Sequence, residues 1–501
     1  MKLSVNPGVS DSLPGADAQD DTSAPADDLE SAWRTYFRNA GESPRHAGAR
    51  DFMNADLRAA LARLVSSDAR VLEVGSGGGS LIASLPNQTR MGIDILPELV
   101  REARQAHPEV RFETADILDM RRPPASASEL WDAVVCDRLV HSVVDLKALF
   151  ENLRQQLADG GRIYLTAFNY LWEIPARCAE WAGWKRPAPT ANWLSDSDFR
   201  NLFDVAGLEV VKYEDRLMLP ADVPGIGSLL NRYLVRVPPL YTFSLYRIYV
   251  LRAAIRLPVP RQVSVSVVVP ARNEAGNIQA AIDRTPVMGS GTELIFIEGH
   301  SSDGTWAAIQ EAMRDYRGPL KLSAYQQTGK GKGDAVRLGF ARATGDLLMI
   351  LDADLTVPPE DLPSFYDVAA RGQSDYVQGT RLVYPMEAGA MRFFNKIGNV
   401  AFSQVFTYLL QQPIKDTLCG TKVLWRRDYE RIAANRSYFG DFDPFGDFDL
   451  IFGAARLNLK IAEIPVRYRD RVYGQTNISR WKHGLLLLRM SLIAARKLKF
   501  V

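Results

Sequence analysis

Apolar and polar positions alternate along most of the chain between helical and extended spacing. Leu57, Leu61 and Leu64 follow the helical period, and the apolar run 71–74 that comes next has the pattern of a buried strand. A glycine-rich turn, a helix and a second strand at 91–94 follow. Strands that alternate with helices predict a parallel sheet, so this region is expected to be of the α/β class.

The same alternation occurs in two separate stretches. The first continues to about residue 251, and after the proline-rich stretch 257–260 a second one starts at 263–269. We therefore predict two α/β domains joined near residue 260. The predicted segments are a disordered acidic tail at 1–35, a first domain at 36–257, a linker at 258–262, a second domain at 263–479 and a basic, apolar helix at 480–501.

Composition and charge narrow the classes of function. A chain of 501 residues with 47% hydrophobic and 24% charged residues has enough apolar material for two cores, which excludes a wholly disordered or coiled-coil protein. The 60 Lys and Arg against 59 Asp and Glu give a net charge of +1, so we expect no nucleic-acid partner. Residues 1–30 hold one Lys and seven acids without a periodic apolar face, which predicts the disordered tail.

Cysteine usage and hydropathy indicate the compartment. Cys136, Cys178 and Cys419 are an odd number and lie far apart, which argues against a disulfide framework and against a zinc site. No uncharged apolar run reaches the roughly 18 to 20 residues that span a bilayer, and the N-terminus lacks the apolar core of a signal peptide. We expect a cytoplasmic protein.

The first strand of the first domain leads into a glycine-rich loop. Gly75, Gly77 and Gly79 follow it, and glycine there lets the backbone approach a ligand closely. Asp94 stands at the end of the next predicted strand, where its carboxylate can accept both hydroxyls of a ribose. A dinucleotide fingerprint would place its third glycine at position 80, which is Ser80. The pattern favours a nucleoside cofactor other than NAD.

Five motifs in order give this domain a family resemblance. They are Glu73-x-Gly75-x-Gly77-x-Gly79, 92–94, 115–117, 131–135 and 157–162. The series resembles that of class I S-adenosylmethionine (SAM)-dependent methyltransferases over about residues 40–257. The resemblance implies a Rossmann-like fold with SAM as cofactor: the loop at Glu73 faces the methionine part, Asp94 holds the ribose and Asp116 binds the adenine amine.

The acceptor side of this site is less specified. Asp137 and His141 follow the fourth strand at the carboxyl edge of the sheet, where ligands bind, and are candidates for removing a proton from a hydroxyl acceptor. Alternatively, His141 caps or packs a helix. The tryptophan-rich segment 170–193 either lines an acceptor pocket or belongs to the core.

In the second domain, a third strand delivers two carboxylates. Asp352 and Asp354 follow the apolar run 348–351, and residues i and i+2 of an extended chain point to the same side. Carboxylates so close repel each other unless a cation lies between them. A divalent ion that also binds a diphosphate resolves this, so we predict Mg²⁺ or Mn²⁺; the alternative is a pair of solvated loop acids.

Further polar groups follow other predicted strands and loops. The strand 267–269 ends in a proline turn, the strand 294–298 leads into Ser-Ser-Asp-Gly-Thr at 301–305, and Lys330 and Lys332 stand on a glycine loop before a helix. Cations on such a loop are suited to phosphate groups.

Together these motifs resemble the GT-A glycosyltransferases of family 2 over about residues 263–480, in particular dolichyl-phosphate and bacterial polyprenyl-phosphate sugar transferases. The resemblance implies a nucleotide-diphospho-sugar donor, with Asp352 and Asp354 as the D-x-D metal motif and 416–422 as the D-x-x-C-G-x-K stretch. Its nucleotide-sugar residues correspond here to Pro270, Ala271, Asn273, Glu274, Asp352 and Arg381, and we add Lys330 and Lys332 because of their position on the glycine loop.

One departure concerns the nucleotide base. The family usually has two adjacent Asp residues where this chain has Glu298 and Gly299. Glu298 is our candidate replacement, and the identity of the base stays open. On the acceptor side, the resemblance points to either Asp447 or Asp449 as a general base.

The acceptor decides which residues matter. A sugar hydroxyl needs a base, whereas a polyprenyl phosphate is already an anion and needs cations beside it. The resemblance assigns phosphate contacts to the end loop, represented here by Arg469, Arg471, Tyr473 and Asn477. The alternative is a solvated basic turn.

Two acid-free stretches predict contact with a membrane surface. One is 223–273, rich in arginine and tyrosine, and the other is the C-terminal helix, where Lys482, Arg489 and Arg496 recur every seven residues. The opposite face of that helix carries Leu487, Met490, Ala494 and Leu498. The competing interpretation is packing, including a final sheet strand at 245–251.

These expectations combine into a bifunctional enzyme of polysaccharide or glycolipid assembly, peripheral at the inner face of the cell membrane. It would transfer a sugar from a nucleotide diphosphate to a lipid-linked or saccharide acceptor, and a methyl group from SAM. The alternatives are a soluble enzyme that modifies a secondary metabolite, or a single-activity enzyme in which one domain only binds.

Overall fold

The computed structural model describes residues 26–38, 47–119, 129–183, 185–221, 223, 225–383, 393–438, 447–469, 471, 473 and 488–500. Two seven-stranded sheets organise these residues. Each sheet is formed by one of the two predicted α/β domains, so the predicted fold class is confirmed.

The first sheet has the strand order β3-β2-β1-β4-β5-β7-β6, and β7 is antiparallel to both of its neighbours. Its strands are β1 Val71–Val74, β2 Arg90–Asp94, β3 Arg111–Thr114, β4 Trp131–Asp137, β5 Leu157–Phe168, β6 Leu208–Arg216 and β7 Tyr246–Ala253. The helices of this half are α1 Ala26–Arg38, α2 Ala47–Leu64, α3 Ser80–Ser84, α4 Pro97–Ala106, α5 Leu146–Gln155, α6 Glu173–Trp181, α7 Asp196–Val205 and the short α8 Ile226–Ser228.

The second sheet has the order β10-β9-β8-β11-β13-β12-β14, with β13 antiparallel to β11 and β12. Its strands are β8 Ser264–Ala271, β9 Gly291–Glu298, β10 Lys321–Gln326, β11 Leu347–Ile350, β12 Tyr376–Thr380, β13 Lys422–Trp425 and β14 Ile461–Pro465. The helices are α9 Ile278–Arg284, α10 Thr305–Asp315, α11 Lys332–Arg342, α12 Leu362–Ala370, α13 Phe393–Leu410, α14 Arg426–Ala434 and α15 Asp447–Arg456.

Both sheets reverse their strand order at the first strand of the domain. In the first sheet β1 lies between β2 and β4, and in the second β8 lies between β9 and β11, all parallel. At such a switch point the loops leaving the carboxyl ends of the two outer strands diverge, which opens a crevice for ligands. β1 and β11 are buried along their whole length because both faces are covered, which explains their continuous apolar runs.

A buried charge cluster connects the two halves. Asp375, which precedes β12, accepts hydrogen bonds from Arg162 on β5 at 2.7 Å and from Arg252 on β7 at 3.0 Å. Both guanidinium side chains are about 5% exposed. Removing one member of such a cluster leaves uncompensated buried charge, so the cluster fixes how the halves meet.

Two of the predicted segments are corrected by the structure. Residues 26–35 of the expected disordered tail belong to helix α1, in which Trp33 is buried and its indole donates to the Thr190 carbonyl at 3.2 Å. The acidic composition of the tail masked this short aromatic face. Residues 1–25 lie outside the described residues.

The expected membrane helix is used at least partly for packing. Of residues 480–501, the structure describes 488–500, which are helical over 488–499. Met490 and Ala494 are buried in the core of the second sheet, whereas Leu488 and Leu492 are exposed. The stretch 245–251 falls in β7 apart from its first residue, as the competing interpretation predicted. In the part of the chain that is described, no helix combines the length and apolar character required to cross a bilayer.

Candidate active sites

A cavity of about 820 Å³ lies at the carboxyl ends of β1, β2 and β4. Its volume is within the range of small-molecule and cofactor sites. Predicted residues that line it are Glu73, Gly75, Gly77, Asp94, Asp116, Asp137 and His141. The fold therefore brings the first-domain candidates to one place. Gly79 is the exception, because it does not line the cavity.

The glycines of the loop serve different purposes. Gly77 has φ +51°, and a Cβ built there would meet nothing within 4 Å, so its backbone faces open space. Gly79 has φ +78°, and a Cβ there would lie 2.4 Å from the Phe112 ring. Gly77 thus leaves room for a ligand, while Gly79 allows the loop to pack on β3.

Carboxylates surround this loop. Asp94 accepts hydrogen bonds from the Gly77 amide at 2.8 Å and from the Leu96 amide at 2.9 Å, and burial raises its pKa. Each carboxylate oxygen has two acceptor sites, so capacity for ribose hydroxyls remains. Glu73 accepts from the Ile82 amide at 3.1 Å, and burial together with Asp137 raises its pKa well above the usual value.

Two further groups suit a nucleoside ligand. Asp116 accepts from the Leu118 amide at 2.8 Å through one oxygen and is only partly buried. The Ser76 hydroxyl lines the cavity, is buried and has no hydrogen-bond partner in the structure. A buried polar atom without a partner is costly, so Ser76 fits a site that is completed by a polar ligand. The residues present therefore fit SAM.

Asp137 is held on all sides. It accepts a hydrogen bond from the Thr166 hydroxyl at 2.5 Å and from two nitrogens of Arg138, the shorter at 2.6 Å. Arg138 has the left-handed φ of 54° that aims its side chain back along the cavity wall, where it also donates to Asn54 at 3.0 Å. Asp137 is thus already engaged by Arg138 and Thr166 and is not available as an unpaired base.

His141 has both ring nitrogens engaged by backbone. The Phe168 amide donates to Nε2 at 2.9 Å, so Nδ1 carries the proton and donates to the Asn192 carbonyl at 2.7 Å. Burial lowers its pKa to about 4. This arrangement corresponds to the packing alternative for His141 and leaves no nitrogen for a substrate.

Helix α1 forms a wall of the cavity that the sequence did not reveal. Trp33, Tyr36 and Phe37 line it, and the Arg186 guanidinium lies 4.7 Å from the centre of the Tyr36 ring. Their spacing at i, i+3 and i+4 is the signal that could have indicated a helix here. From the aromatic segment 170–193, Trp172 and Trp193 also line the cavity.

In the second half, the loops after β8 and β9 are joined by hydrogen bonds. The Asn273 amide donates to the Ser301 hydroxyl at 3.0 Å, and the Glu274 amide donates to the Thr305 hydroxyl at 3.0 Å. Asn273 has a φ of 57°, and its side-chain oxygen accepts from the Ser302 amide at 2.8 Å. Pro270 and Ala271 end β8 beneath these loops, with Ala271 buried.

Asp352 lies in a tight cationic setting. The Lys332 ammonium is 2.5 Å from its carboxylate. Burial favours a higher pKa, but Lys332 outweighs it and holds the pKa of Asp352 below its usual value. Gly420 packs directly on this pair, since a Cβ there would lie 2.0 Å from Asp352 Oδ2. The glycine of the 416–422 stretch therefore makes room for Asp352.

Asp354 pairs with a different cation. Arg471 is 2.5 Å from it, and Thr356 donates to it through the hydroxyl at 2.8 Å. Burial and the charge of Asp352 raise the pKa of Asp354. Arg471 also lies 3.5 Å from Glu274, whose pKa burial raises to about 7.

These two carboxylates are the candidate metal ligands. Among the described residues, no group of three or more His, Cys, Asp and Glu side chains could hold a metal ion. Mg²⁺ in phosphate-transfer sites is commonly bound through one or two carboxylates together with substrate phosphates. The pair therefore fits an ion that binds together with a diphosphate, not one held by protein alone.

The Glu298 carboxylate is engaged in hydrogen bonds within the protein. It is 3% exposed and accepts hydrogen bonds from the Ser301 amide at 2.6 Å and from Gln326 at 3.0 Å. Its role here is to order the loop after β9. Next to it, Gln327 is buried, and its side-chain oxygen has no partner; its nitrogen would lie 3.4 Å from a Cβ at Gly299. Sequence reasoning did not single out Gln327.

Arg381 forms a buried bidentate pair with Asp416, with hydrogen bonds of 2.6 and 2.8 Å. Asp416 raises the pKa of this guanidinium despite burial. The pair connects the end of β12 to the 416–422 stretch, so the described contacts of Arg381 are structural.

Of the two acid candidates on α15, only Asp449 has a described side chain. Asp449 accepts from Arg436 at 2.7 Å and lies 3.6 Å from Arg337. With two arginines beside it, Asp449 is not a free base. Asp447 begins α15, and its side chain lies outside the described part of the chain.

Arg469 and Tyr473 of the end loop contact the loops of the site. The Tyr473 ring lies against Gly276, where a Cβ would be 2.7 Å from it, and its hydroxyl donates to Asp303 at 3.3 Å. The Arg469 amide donates to the Thr356 carbonyl at 3.0 Å. Lys330 is exposed on its glycine loop. Asn477 lies outside the described residues.

Comparison with family models finds one match in each half. Residues 49–213 match a methyltransferase domain, and residues 266–432 match glycosyl transferase family 2. The second half is also similar to a dolichol-phosphate mannosyltransferase of Pyrococcus furiosus, with 28% identity over 43% of this chain. The chain spans 59% of the length of that relative.

Solved structures resemble each half separately. A SAM-dependent methyltransferase of Thermotoga maritima, a possible histamine N-methyltransferase, aligns with 44% of this chain and 99% of its own, at 15% identity and a TM-score of 0.35. Glucosyl-3-phosphoglycerate synthase of Mycobacterium tuberculosis, with Mn²⁺ and UDP, aligns with 47% of this chain and 80% of its own, at 20% identity and a TM-score of 0.35. The family matches assign a methyltransferase domain to the first half of the chain and a glycosyl transferase family 2 domain to the second, each built on its own seven-stranded sheet.

Proposed function

We propose that the chain transfers a sugar from a nucleotide-diphosphate donor to a polyprenyl phosphate, and a methyl group from SAM, in the assembly of a polysaccharide or glycolipid. The observation that carries the proposal is the pair Asp352 and Asp354 at the β8/β11 switch point, each beside its own cation. Such a site is suited to a metal-bound diphosphate.

For sugar transfer, the charged groups are already placed where a diphosphate leaving group needs them. A divalent ion bound by Asp352 and Asp354 would supply positive charge to the leaving group. Lys332 and Arg471 neutralise these carboxylates in the structure, and a metal ion bound by the carboxylates would release both cations to donate to phosphate oxygens instead.

The acid on α15 favours a phosphate acceptor over a hydroxyl. Asp449 is held in ion pairs by Arg436 and Arg337, so this carboxylate is already engaged and is poorly placed to serve a hydroxyl acceptor, while the side chain of Asp447 lies outside the described residues. A polyprenyl phosphate needs no deprotonation. The similarity to a dolichol-phosphate mannosyltransferase supports the same acceptor class.

For methyl transfer, the first cavity acts by positioning. SAM supplies the methyl group on a sulfonium, and its transfer needs an aligned nucleophile at near-attack distance. Glu73, Asp94 and Asp116 would hold the cofactor, and α1 closes the cavity wall against water. Because Asp137 and His141 are both engaged, the site favours an acceptor that needs no strong base.

A membrane surface is the remaining proposed partner. Ile226, Leu229, Tyr233 and Phe243 are exposed apolar side chains in the acid-free stretch, and Arg232 lies among them. Exposed apolar and aromatic groups with arginines are suited to an anionic interface. This supports a peripheral location at the inner face of the membrane, where a lipid-linked acceptor would be available.

The test is a panel of UDP- and GDP-sugars with Mg²⁺ or Mn²⁺, scored for donor hydrolysis, for transfer to polyprenyl phosphate and for thermal stabilisation, with and without SAM. We expect a metal-dependent response to one donor. A response to SAM alone would refute the sugar-transfer half and leave a methyltransferase with a binding module. Sedimentation with anionic liposomes, reversed by high salt, tests the membrane partner.

A further inference from the structure

A second cavity, of about 340 Å³, lies between the two halves of the molecule and shares no lining residue with the cavity of the first site. One wall is formed by 212–215 of β6 with Arg236 and Tyr241. The other is formed by 407–413 after and within α13, with Leu498 and Lys499 of the C-terminal segment. Its volume is sufficient for a small metabolite.

Two ammonium groups line this cavity without a carboxylate partner. Lys212 donates to the Ala455 carbonyl at 3.3 Å, and the Lys499 ammonium lies 4.7 Å from the centre of the Tyr408 ring. Within the described residues, neither ammonium forms an ion pair. Both side chains are partly buried, and a cation withdrawn from water without an anion is unfavourable, so an anion would complete the arrangement.

The acids in the wall do not supply that anion. Glu214 is bound by Arg63, the shorter bond being 2.5 Å, and Asp215 accepts from Arg247 at 2.8 Å. In both cases the carboxylate is neutralised by an arginine that does not line the cavity. Arg216 and Arg247 are paired in turn with Asp56 and Asp196.

The other charges around the cavity are paired with one another. Arg63 pairs with Glu214, Arg216 with Asp56, and Arg247 with Asp196 and Asp215. In the described part of the chain this leaves Lys212 and Lys499 as two cavity-lining ammonium groups without a carboxylate within 4 Å. Burial lowers the pKa of Lys212 and of Lys499 to about 8, and the nearby Glu214 carboxylate opposes this shift only in part.

We propose that this cavity binds a small phosphate-bearing anion, held by Lys212 from the methyltransferase half and by Lys499 from the segment that follows the glycosyltransferase half. Arg236 belongs to the same wall, and its guanidinium donates to the Lys499 carbonyl. A bound phosphate would tie β6 to the C-terminal segment, so the site would join the two halves. It is separate from both proposed transfer sites.

The test uses the full chain and inorganic phosphate as the probe, with chloride at equal ionic strength as the reference and EDTA to exclude metal. We expect phosphate to raise the melting temperature by roughly 2–4 °C at concentrations well above Kd. The variants Lys212→Met and Lys499→Met should lose this rise, because each removes one of the two ammonium groups.

Two controls locate the effect. Lys147→Met removes an exposed lysine of the same half and should keep the full rise. Lys332→Met removes a cation of the diphosphate site and should keep it as well. Loss of the rise in Lys332→Met, or its retention in the two cavity variants, would overturn the proposal, and so would an equal response to acetate.

Folding of the variants gives an independent readout. Because Lys212 and Lys499 are uncompensated in the absence of an anion, replacing either by Met should leave the melting temperature in chloride equal or higher. A large drop in chloride would show that the ammonium groups are already satisfied by the protein, which would refute the premise of an incomplete site.

Discussion

The two transfer sites lie at equivalent positions in their sheets but are built from different interactions. In the methyltransferase half, the three carboxylates proposed to hold the cofactor accept hydrogen bonds from backbone amides, as Asp94 does from Gly77 and Leu96, and Asp137 is the exception that pairs with Arg138. In the glycosyltransferase half, they are held by side-chain cations, as Asp352 is by Lys332 and Asp354 by Arg471.

This difference follows from the charge of what each site must accept. Backbone amides leave the carboxylates free to accept hydroxyl and amine donors, which suits a cationic nucleoside such as SAM. When a divalent ion binds a carboxylate pair, the side-chain cations that were paired with the carboxylates can bind phosphate oxygens instead. Under the proposed function, the first site is thus already arranged for its ligand, whereas the second would have to exchange ion pairs when its ligands bind.

Among substitutions that keep all the proposed ligands in place, the largest expected effect is that of Gly420→Ala on the glycosyltransferase site. A Cβ would lie 2.0 Å from Asp352 Oδ2 and 2.4 Å from the Lys332 ammonium, so the metal-binding carboxylate must move. We expect sugar transfer to fall by about 10²- to 10³-fold. Methyl transfer by the same preparation serves as the control and should be unchanged; an equal loss of both would indicate misfolding instead.

A smaller effect, a loss of SAM affinity, is expected when a side chain is introduced into the glycine-rich loop of the methyltransferase site. Gly77→Ala places a side chain at φ +51° and into the open space of the cavity, so SAM affinity should drop by about 10²-fold by calorimetry. Gly78→Ala is the matched control, because Gly78 is exposed, has no positive φ and would meet nothing within 4 Å. Equal affinity of the two variants would contradict the assignment of the loop.

Arg471→Gln should have a still smaller effect, limited to the KM for the sugar donor. It removes one charge-assisted contact to Asp354 and, in the loaded site, to phosphate, which corresponds to about a tenfold rise in donor KM. Steady-state kinetics with the donor identified by the panel would measure this. An unchanged KM would mean that Arg471 stays on Asp354 throughout.

The smallest effect concerns pH and the packing role of His141. Its folded pKa of about 4 lies below the usual 6.5, so the unfolded chain binds a proton that the folded chain does not. Stability from this group is complete above pH 6.5 and is lost as the pH falls toward 4, by about 3 kcal/mol at most.

Urea unfolding across this pH range should therefore show a shallower pH dependence for His141→Gln than for the native chain. His107→Gln provides the control, since His107 is only partly buried. The same slope in all three proteins would contradict the buried, neutral state of His141.

Elements that depend on local pattern were predictable from the sequence. Both sheets, the loop at Gly75 to Gly79 and the pair Asp352 and Asp354 were expected, because strand ends and the loops that follow them are contiguous in the chain. The confirmed fold of both halves rests on this local regularity.

Contacts between distant segments were not predictable. His141 is engaged by the Asn192 carbonyl, Gly420 packs on Asp352, and α1 lines a cavity whose other walls include α2, α6 and the carboxyl ends of strands β1 to β5 with the loops that follow. Residues 26–35 were predicted to be disordered because their acidic composition outweighed a single aromatic face. None of these contacts has a signature within one stretch of sequence.

The central claim is that two independent transfer sites share one chain, and Asp352→Ala tests it most directly. Metal-dependent sugar transfer and SAM-dependent methyl transfer should be measured on the same preparation, with Asp315→Ala, which removes an exposed acid, as control. The account predicts that Asp352→Ala abolishes sugar transfer and leaves methyl transfer intact, while Asp315→Ala changes neither. Normal sugar transfer by Asp352→Ala would contradict it.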